Sequence, residues 1–168
     1  FGDTWLFDGA VWQLLSGGVQ PGARHSHSMA YDPLRDRVVM YGGVKLSPFA
    51  GGSTTYTDTW EHDGTSWSRV ATGGAPPSSI GTMAYDHNRQ RIVYLNALSS
   101  AGVELWEFDG ATWSPLAVAG DLNAAHPLRL LEPIATTGPS GSLLIVGLRG
   151  AVALLPRPAS AATYGNAC

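Results

Sequence analysis

Asp3-Thr4-Trp5-Leu6-Phe7-Asp8-Gly9-Ala10-Val11-Trp12 returns as Asp58-Thr59-Trp60-Glu61-His62-Asp63-Gly64-Thr65-Ser66-Trp67, and again as Glu104-Leu105-Trp106-Glu107-Phe108-Asp109-Gly110-Ala111-Thr112-Trp113. All six tryptophans of the 168-residue chain lie in these copies, two per copy and seven residues apart, with an Asp-Gly pair between them. The copies are spaced by 55 and 46 residues, a period that belongs to propellers, solenoids and arrays. Asp8-Gly9, Asp63-Gly64 and Asp109-Gly110 are hairpin signals, because glycine supplies the positive φ that tight β-turns require. Their regular recurrence assigns the three aspartates to the turns, since a catalytic acid is needed once and a turn once per unit.

A second repeat alternates with the first. Ser28-Met29-Ala30-Tyr31-Asp32-Pro33-Leu34-Arg35-Asp36-Arg37-Val38-Val39-Met40-Tyr41 aligns without gaps on residues 82–95, Thr-Met-Ala-Tyr-Asp-His-Asn-Arg-Gln-Arg-Ile-Val-Tyr-Leu. A worn third copy spans residues 134–146 and keeps the apolar strand and the turn but not the Tyr-Asp pair. Arg37 to Tyr41 and Arg91 to Leu95 are short, β-branched and aromatic, bounded by turn residues, and no stretch carries a sustained helical period. Each unit therefore reads as four strands, a to d: a hairpin ending near Gly42-Gly43, a variable loop, and a hairpin about Asp-Gly.

A four-stranded unit at this period is a propeller blade, and it needs neighbours to bury its faces. The expected fold is all-β: four-stranded antiparallel meanders, about three blades' worth, part of a larger propeller. Residues 1–155 form the repeat segment, with strands c and d of one blade at 1–15, blades at 24–71 and 78–117, and a partial degenerate blade at 129–155. Residues 156–168 read as a Pro/Ala-rich tail or linker. Trp5, Trp60 and Trp106 are expected between blades, and Trp12, Trp67 and Trp113 over the outer hairpin.

These residues resemble the kelch-repeat β-propellers. The likeness rests on Pro21-Gly22-Ala23-Arg24-His25-Ser26-His27-Ser28, then Val38-Val39-Met40-Tyr41-Gly42-Gly43, then Tyr56-Thr57-Asp58-Thr59-Trp60, then Trp67. The second unit departs from the pattern: Asn96-Ala97 replaces Gly-Gly, and residues 78–81 replace the Arg and His positions. The resemblance implies that Arg24 and the following His-Ser element brace the start of a blade. It also implies an architecture similar to the propeller domain of galactose oxidase, a copper enzyme whose site joins a tyrosine to a cysteine. The only thiol here is Cys168, outside the repeats, so that copper site is not assembled from this chain. Two closures are open. Missing blades come from a longer parent chain, the favoured reading, or from a second copy whose a–b pair meets the c–d pair of the first.

The chemistry-bearing candidates are few. His25 and His27 stand two apart and would share one face of a strand as a weak metal pair. Arg35 and Arg37, with Arg89 and Arg91, recur at matching turn positions and read as solvated. The loop from Val44 to Tyr56 is the least repetitive surface, with Lys45, Phe49 and Tyr56 as binding contacts. No nucleophile elbow, phosphate loop or paired-carboxylate motif appears, so no catalytic or cofactor-binding residue is assigned. A net charge of −3 excludes a basic nucleic-acid surface, and no apolar run approaches the ~20 residues of a membrane helix. Lys45 is the single lysine beside nine arginines, which points to a GC-rich bacterial source. The Gly/Ser/Thr-rich texture suits a secreted, extracellular protein. The expected function is a non-enzymatic scaffold that binds protein or glycan or builds an extracellular assembly. The alternative is a carbohydrate-active enzyme or lectin whose site uses residues outside this chain.

Overall fold

A computed structural model describes residues 2–47, 52–77, 79–99 and 102–117, together with the strand segments 134–137, 143–146 and 152–154. The chain is all-β: the described residues form antiparallel sheets and contain no helix. Strands β1 (Thr4–Phe7) and β2 (Trp12–Leu15) make a hairpin. Next comes a meander of β3 (Ser28–Asp32), β4 (Arg37–Tyr41), β7 (Thr59–His62) and β8 (Trp67–Val70), in that spatial order. Between β4 and β7 the chain leaves the sheet as a two-stranded ribbon, β5 (Val44–Leu46) and β6 (Ser53–Thr55). A second meander contains β9 (Thr82–Asp86), β10 (Arg91–Ser99), β11 (Gly102–Phe108) and β12 (Trp113–Pro115). A three-stranded sheet of β13 (Ile134–Thr137), β14 (Leu143–Val146) and β15 (Val152–Leu154) follows.

The turns explain why each Asp-Gly copy folds back. Asp63 Oδ1 accepts the backbone N–H groups of Thr65 (2.9 Å) and Ser66 (2.8 Å), and Gly64 takes φ 92°. Asp8 and Asp109 do the same for the pairs Ala10/Val11 and Ala111/Thr112, with Gly9 at φ 101° and Gly110 at φ 104°. The a–b turns use another device: Asp32 and Asp86 each accept two backbone N–H groups of the turn that follows. Asp36 and Gln90 close these turns with φ 54° each.

One repeat position decides how the two meanders differ. Gly42 and Gly43 have φ 74° and 100°, which ends β4 and turns the chain out into the ribbon. The second meander carries Asn96-Ala97 at the matching positions, and there β10 runs on to Ser99 and pairs with a long β11. The stretch expected as a loop at Val44 to Tyr56 is therefore ordered into β5 and β6 on both sides of its tip. Gly42 is also where the next unit approaches: a Cβ there would collide with the carbonyl oxygen of Ser79. Gly42→Ala is accordingly expected to cost about 2 kcal/mol of stability, read as a lowered urea midpoint.

The sheets stack with their first strands side by side, β9 lying against both β3 and β13. Period-2 alternation does the sorting. Val39 and Tyr41 of β4, Met83 and Tyr85 of β9, Ile92 and Tyr94 of β10, Phe108 and Trp113 form one core cluster. The opposite face of β10, with Val93 and Leu95, is buried as well. The first meander differs because less packs against it from the N-terminal side. Tyr31 is 52% exposed where its counterpart Tyr85 is 9% exposed.

Candidate functional site

The tryptophans set the spacing between sheets, but with the roles exchanged from those expected. The indole N–H of Trp67 donates to the Thr4 hydroxyl (2.9 Å), and that of Trp113 donates to the Thr59 hydroxyl (2.9 Å). Thr4 and Thr59 are the same motif position, one sheet earlier in each case. The second tryptophan of a copy is thus the wedge between sheets, and Trp113 is 2% exposed in the centre of the core. It stacks on Phe108 with ring centroids 4.9 Å apart and touches Tyr41 of the preceding meander at 5.2 Å. Trp12 occupies the same position, has no earlier sheet against it among the described residues, and is 62% exposed. The first tryptophans serve their own sheet: Trp5 and Trp60 each donate to the aspartate two residues before, Asp3 and Asp58, at 2.7 Å. Trp60 is buried, while Trp106 is half-buried and packed against the core cluster.

Asp58 belongs to a clasp. Arg24, its side chain 3% exposed, donates to both carboxylate oxygens of Asp58 and to the Gly42 carbonyl (2.9 Å). Its guanidinium lies 3.9 Å from the centroid of the Tyr56 ring. Burial works to raise the Asp58 carboxyl, but the hydrogen bonds from Arg24 and Trp60 outweigh it and hold the group below the usual range. Tyr56, expected as a binding contact, is therefore a packing partner of Arg24. Lys45 is exposed on β5, and Phe49 lies outside the described residues.

Two of the arginines expected to be solvated are not. Arg35 pairs with Asp32 (2.8 Å) and with Glu61 of β7, and Arg89 pairs with Asp86 (2.8 Å). Arg35 also lies over the Phe108 ring at 5.4 Å and against Gly110, where a Cβ would meet the guanidinium at 2.8 Å. It therefore ties the first meander to the turn of the second. The signal was in the sequence as Asp-x-x-Arg at matching places, since an aspartate that starts a turn brings the residue three later alongside it.

His25 and His27 do not share a strand face. Ser26 between them has φ 57°, and His25 forms an isolated antiparallel bridge with Val44 before β3 begins. Partial burial and the charge of Arg24 lower the pKa of His27. Among the described residues no group of three histidine, cysteine or acidic side chains is placed to hold a metal ion. The turn hydrogen bonds hold Asp8, Asp63 and Asp109 below the usual carboxylate range, so these acids stay ionised near neutrality. Burial pushes the Tyr41 hydroxyl up, and it donates to the Pro76 carbonyl at 2.6 Å.

Sequence reasoning missed one feature altogether. A cleft of about 210 Å³ opens between the β1–β2 hairpin and the β7–β8 turn, lined among others by Leu14, Ser16, Gln20, His62, Ser66 and Trp67. His62 Nδ1 accepts the Gly64 N–H (3.1 Å), which leaves the proton on Nε2, and Nε2 is buried without a hydrogen-bond partner. Compared with known proteins, the chain matches no family model and no curated protein. No helix among the described residues is long and apolar enough to cross a membrane.

Proposed function

We propose that this chain is part of a kelch-like β-propeller acting as a non-enzymatic scaffold, one that binds protein or glycan partners outside a bacterial cell. The observation that carries the reading is the repeated wedge: Trp67 to Thr4 and Trp113 to Thr59, the same contact advanced by one sheet. Repeating one contact with one displacement generates a regular stack, and β3, β9 and β13 lying side by side are the inner strands such a stack needs. The recurring acids and guanidiniums support a non-catalytic role, because they are engaged in turns, clasps and inter-sheet ties. The β5–β6 ribbon is the element best placed to bind. It projects from a rigid sheet and exposes Lys45 and Leu46.

Closure by further blades of a parent chain fits better than closure by a second copy. β15 already pairs with β14 in antiparallel register, at the place where a strand of another copy would have to enter.

The test joins two measurements on the intact protein: binding to a glycan array and to candidate protein partners, and turnover of a panel of glycosides and primary alcohols. Binding without turnover is the expected result. Replacing residues 45–54 by an Asn-Gly turn is expected to abolish binding of the protein partner and leave the unfolding midpoint unchanged. Sustained turnover would overturn the scaffold and favour the carbohydrate-active alternative.

A further inference from the structure

The two wedge interfaces are built from equivalent residues, and they differ where the cleft lies. At the second interface the chain after β8 closes the gap. Gly73 bridges Thr112, its N–H donating to Ala111 O (3.2 Å) and its carbonyl accepting the Trp113 N–H (3.0 Å). The gap-free counterparts at the first interface are Gly18 and Ser66, and no such bridge joins them. Phe108 stacks on Trp113 at the second interface, and Phe7 stacks likewise on Trp12. At the first interface the same position is His62, set edgewise to Trp67 with centroids 5.0 Å apart. Ala75 packs on the core at the second interface, and its counterpart at the first is Gln20.

Three departures from the repeat thus converge on one place: a missing backbone bridge, His for Phe, and Gln for Ala. Each makes the first interface less well packed, and two of them put polar groups where the repeat has apolar ones. His62 is 8% exposed, and a buried donor left without a partner is costly, by an amount comparable to a lost hydrogen bond. Gln20 directs its amide nitrogen to the carbonyls of Leu15 (3.1 Å) and Gly17 (3.4 Å), which leaves its oxygen as an acceptor.

We propose that this cleft is a binding site for a single neutral sugar ring. The lining contains no charged side chain, which disfavours an ionic ligand. Its lining residues carry one unpartnered donor (His62 Nε2, itself buried), one acceptor (Gln20 Oε1), the hydroxyls of Ser16, Thr65 and Ser66, and the indole of Trp67. Mixed donors and acceptors beside an aromatic ring match a pyranose, whose hydroxyls do both and whose C–H groups pack on aromatic surface. The cleft and the β5–β6 ribbon lie at opposite ends of β7. The proposal therefore does not depend on the partner binding proposed for the ribbon.

The experiment is a titration of the whole chain with D-glucose, D-galactose, D-mannose and N-acetyl-D-glucosamine, followed through the indole N–H and imidazole resonances. At least one sugar is expected to shift the Trp67 and His62 signals saturably, with Kd on the order of millimolar. His62→Phe installs the residue found in the other two copies, and Gln20→Ala installs that of the second interface. Each is expected to weaken binding by about tenfold or more while near-UV circular dichroism is retained. The ribbon-shortened protein is expected to bind the same sugar unchanged, even if it binds no macromolecular partner. The proposal is overturned if no sugar moves Trp67 and His62 up to about 100 mM, a range that covers even weak sites. It is overturned equally if both variants bind as tightly as the parent.

Discussion

Trp113→Ala is expected to lower stability by about 3–5 kcal/mol, the usual range for emptying a large aromatic site in a core. The ring is 2% exposed, stacks on Phe108, touches Tyr41 and Tyr94 from two sheets, and anchors its N–H on Thr59. Truncation removes the contact that joins the meanders and leaves the Thr59 hydroxyl, itself buried, without its donor. At this chain length the midpoint of thermal unfolding should fall by roughly 10 °C. Trp12→Ala, measured on residues 1–168 alone, is the paired measurement. The same residue type at the same motif position is 62% exposed there, and its loss should change stability by less than about 0.5 kcal/mol. Equal effects of the two substitutions in that 168-residue chain would refute the wedge, because the difference between them comes only from the sheet that Trp113 has beside it among these residues.

Arg24→Met is expected to be the next most damaging change, at about 3 kcal/mol near neutral pH, because it strands the Asp58 carboxylate in a mostly buried place. The dependence on pH distinguishes this cause from lost packing. In the parent, Asp58 is held below its ordinary value, so its ionised form favours the fold. That contribution is fully present above about pH 4, the unfolded value, and is lost as pH falls through the lower folded one. Without Arg24 the main opposing influence, burial, prevails and favours the neutral acid. The gap between parent and variant should therefore be widest at pH 7 and narrow on acidification toward pH 4, as read from urea midpoints at both values. A gap that stays constant would assign the effect to packing of the arginine stem and the Tyr56 ring instead.

The particular residues show why some of this was readable in advance and some was not. Turns and strands are local. Asp63-Gly64 carries its own instruction, since the aspartate reaches N–H groups two and three residues on and the glycine accepts φ 92°. The same holds for the Gly42-Gly43 break, whereas the run of β10 on to Ser99 departs from the short strand read at Arg91 to Leu95 and the loop read at Ala97 to Val103. The positions of the six indoles were legible as a pattern, but not which of each pair forms the wedge. Each tryptophan has at least one polar neighbour in sequence, and only the sheet behind Trp67 and Trp113 selects them. Arg35 and Arg89 were misjudged for a related reason. A turn arginine is normally solvated, and Arg35 is not because Glu61, from another strand, and Phe108 and Gly110, from the next meander, close around it. The cleft had no sequence signature, since it arises where Gly18 does not meet Ser66.

By itself the sequence determined the all-β character, the order of the meanders, and where the Asp-Gly and Asp-x-x-Arg turns fall. These depend on backbone conformations and side-chain contacts within a few residues, and the repeat displays them more than once. Only the tertiary structure decided which faces are buried, which of two identical residues is a wedge and which is exposed, and where the cleft opens between β2 and β7. Those outcomes depend on the presence of a neighbouring sheet. A repeated motif cannot encode that difference within itself, because its copies carry the same instruction into different surroundings.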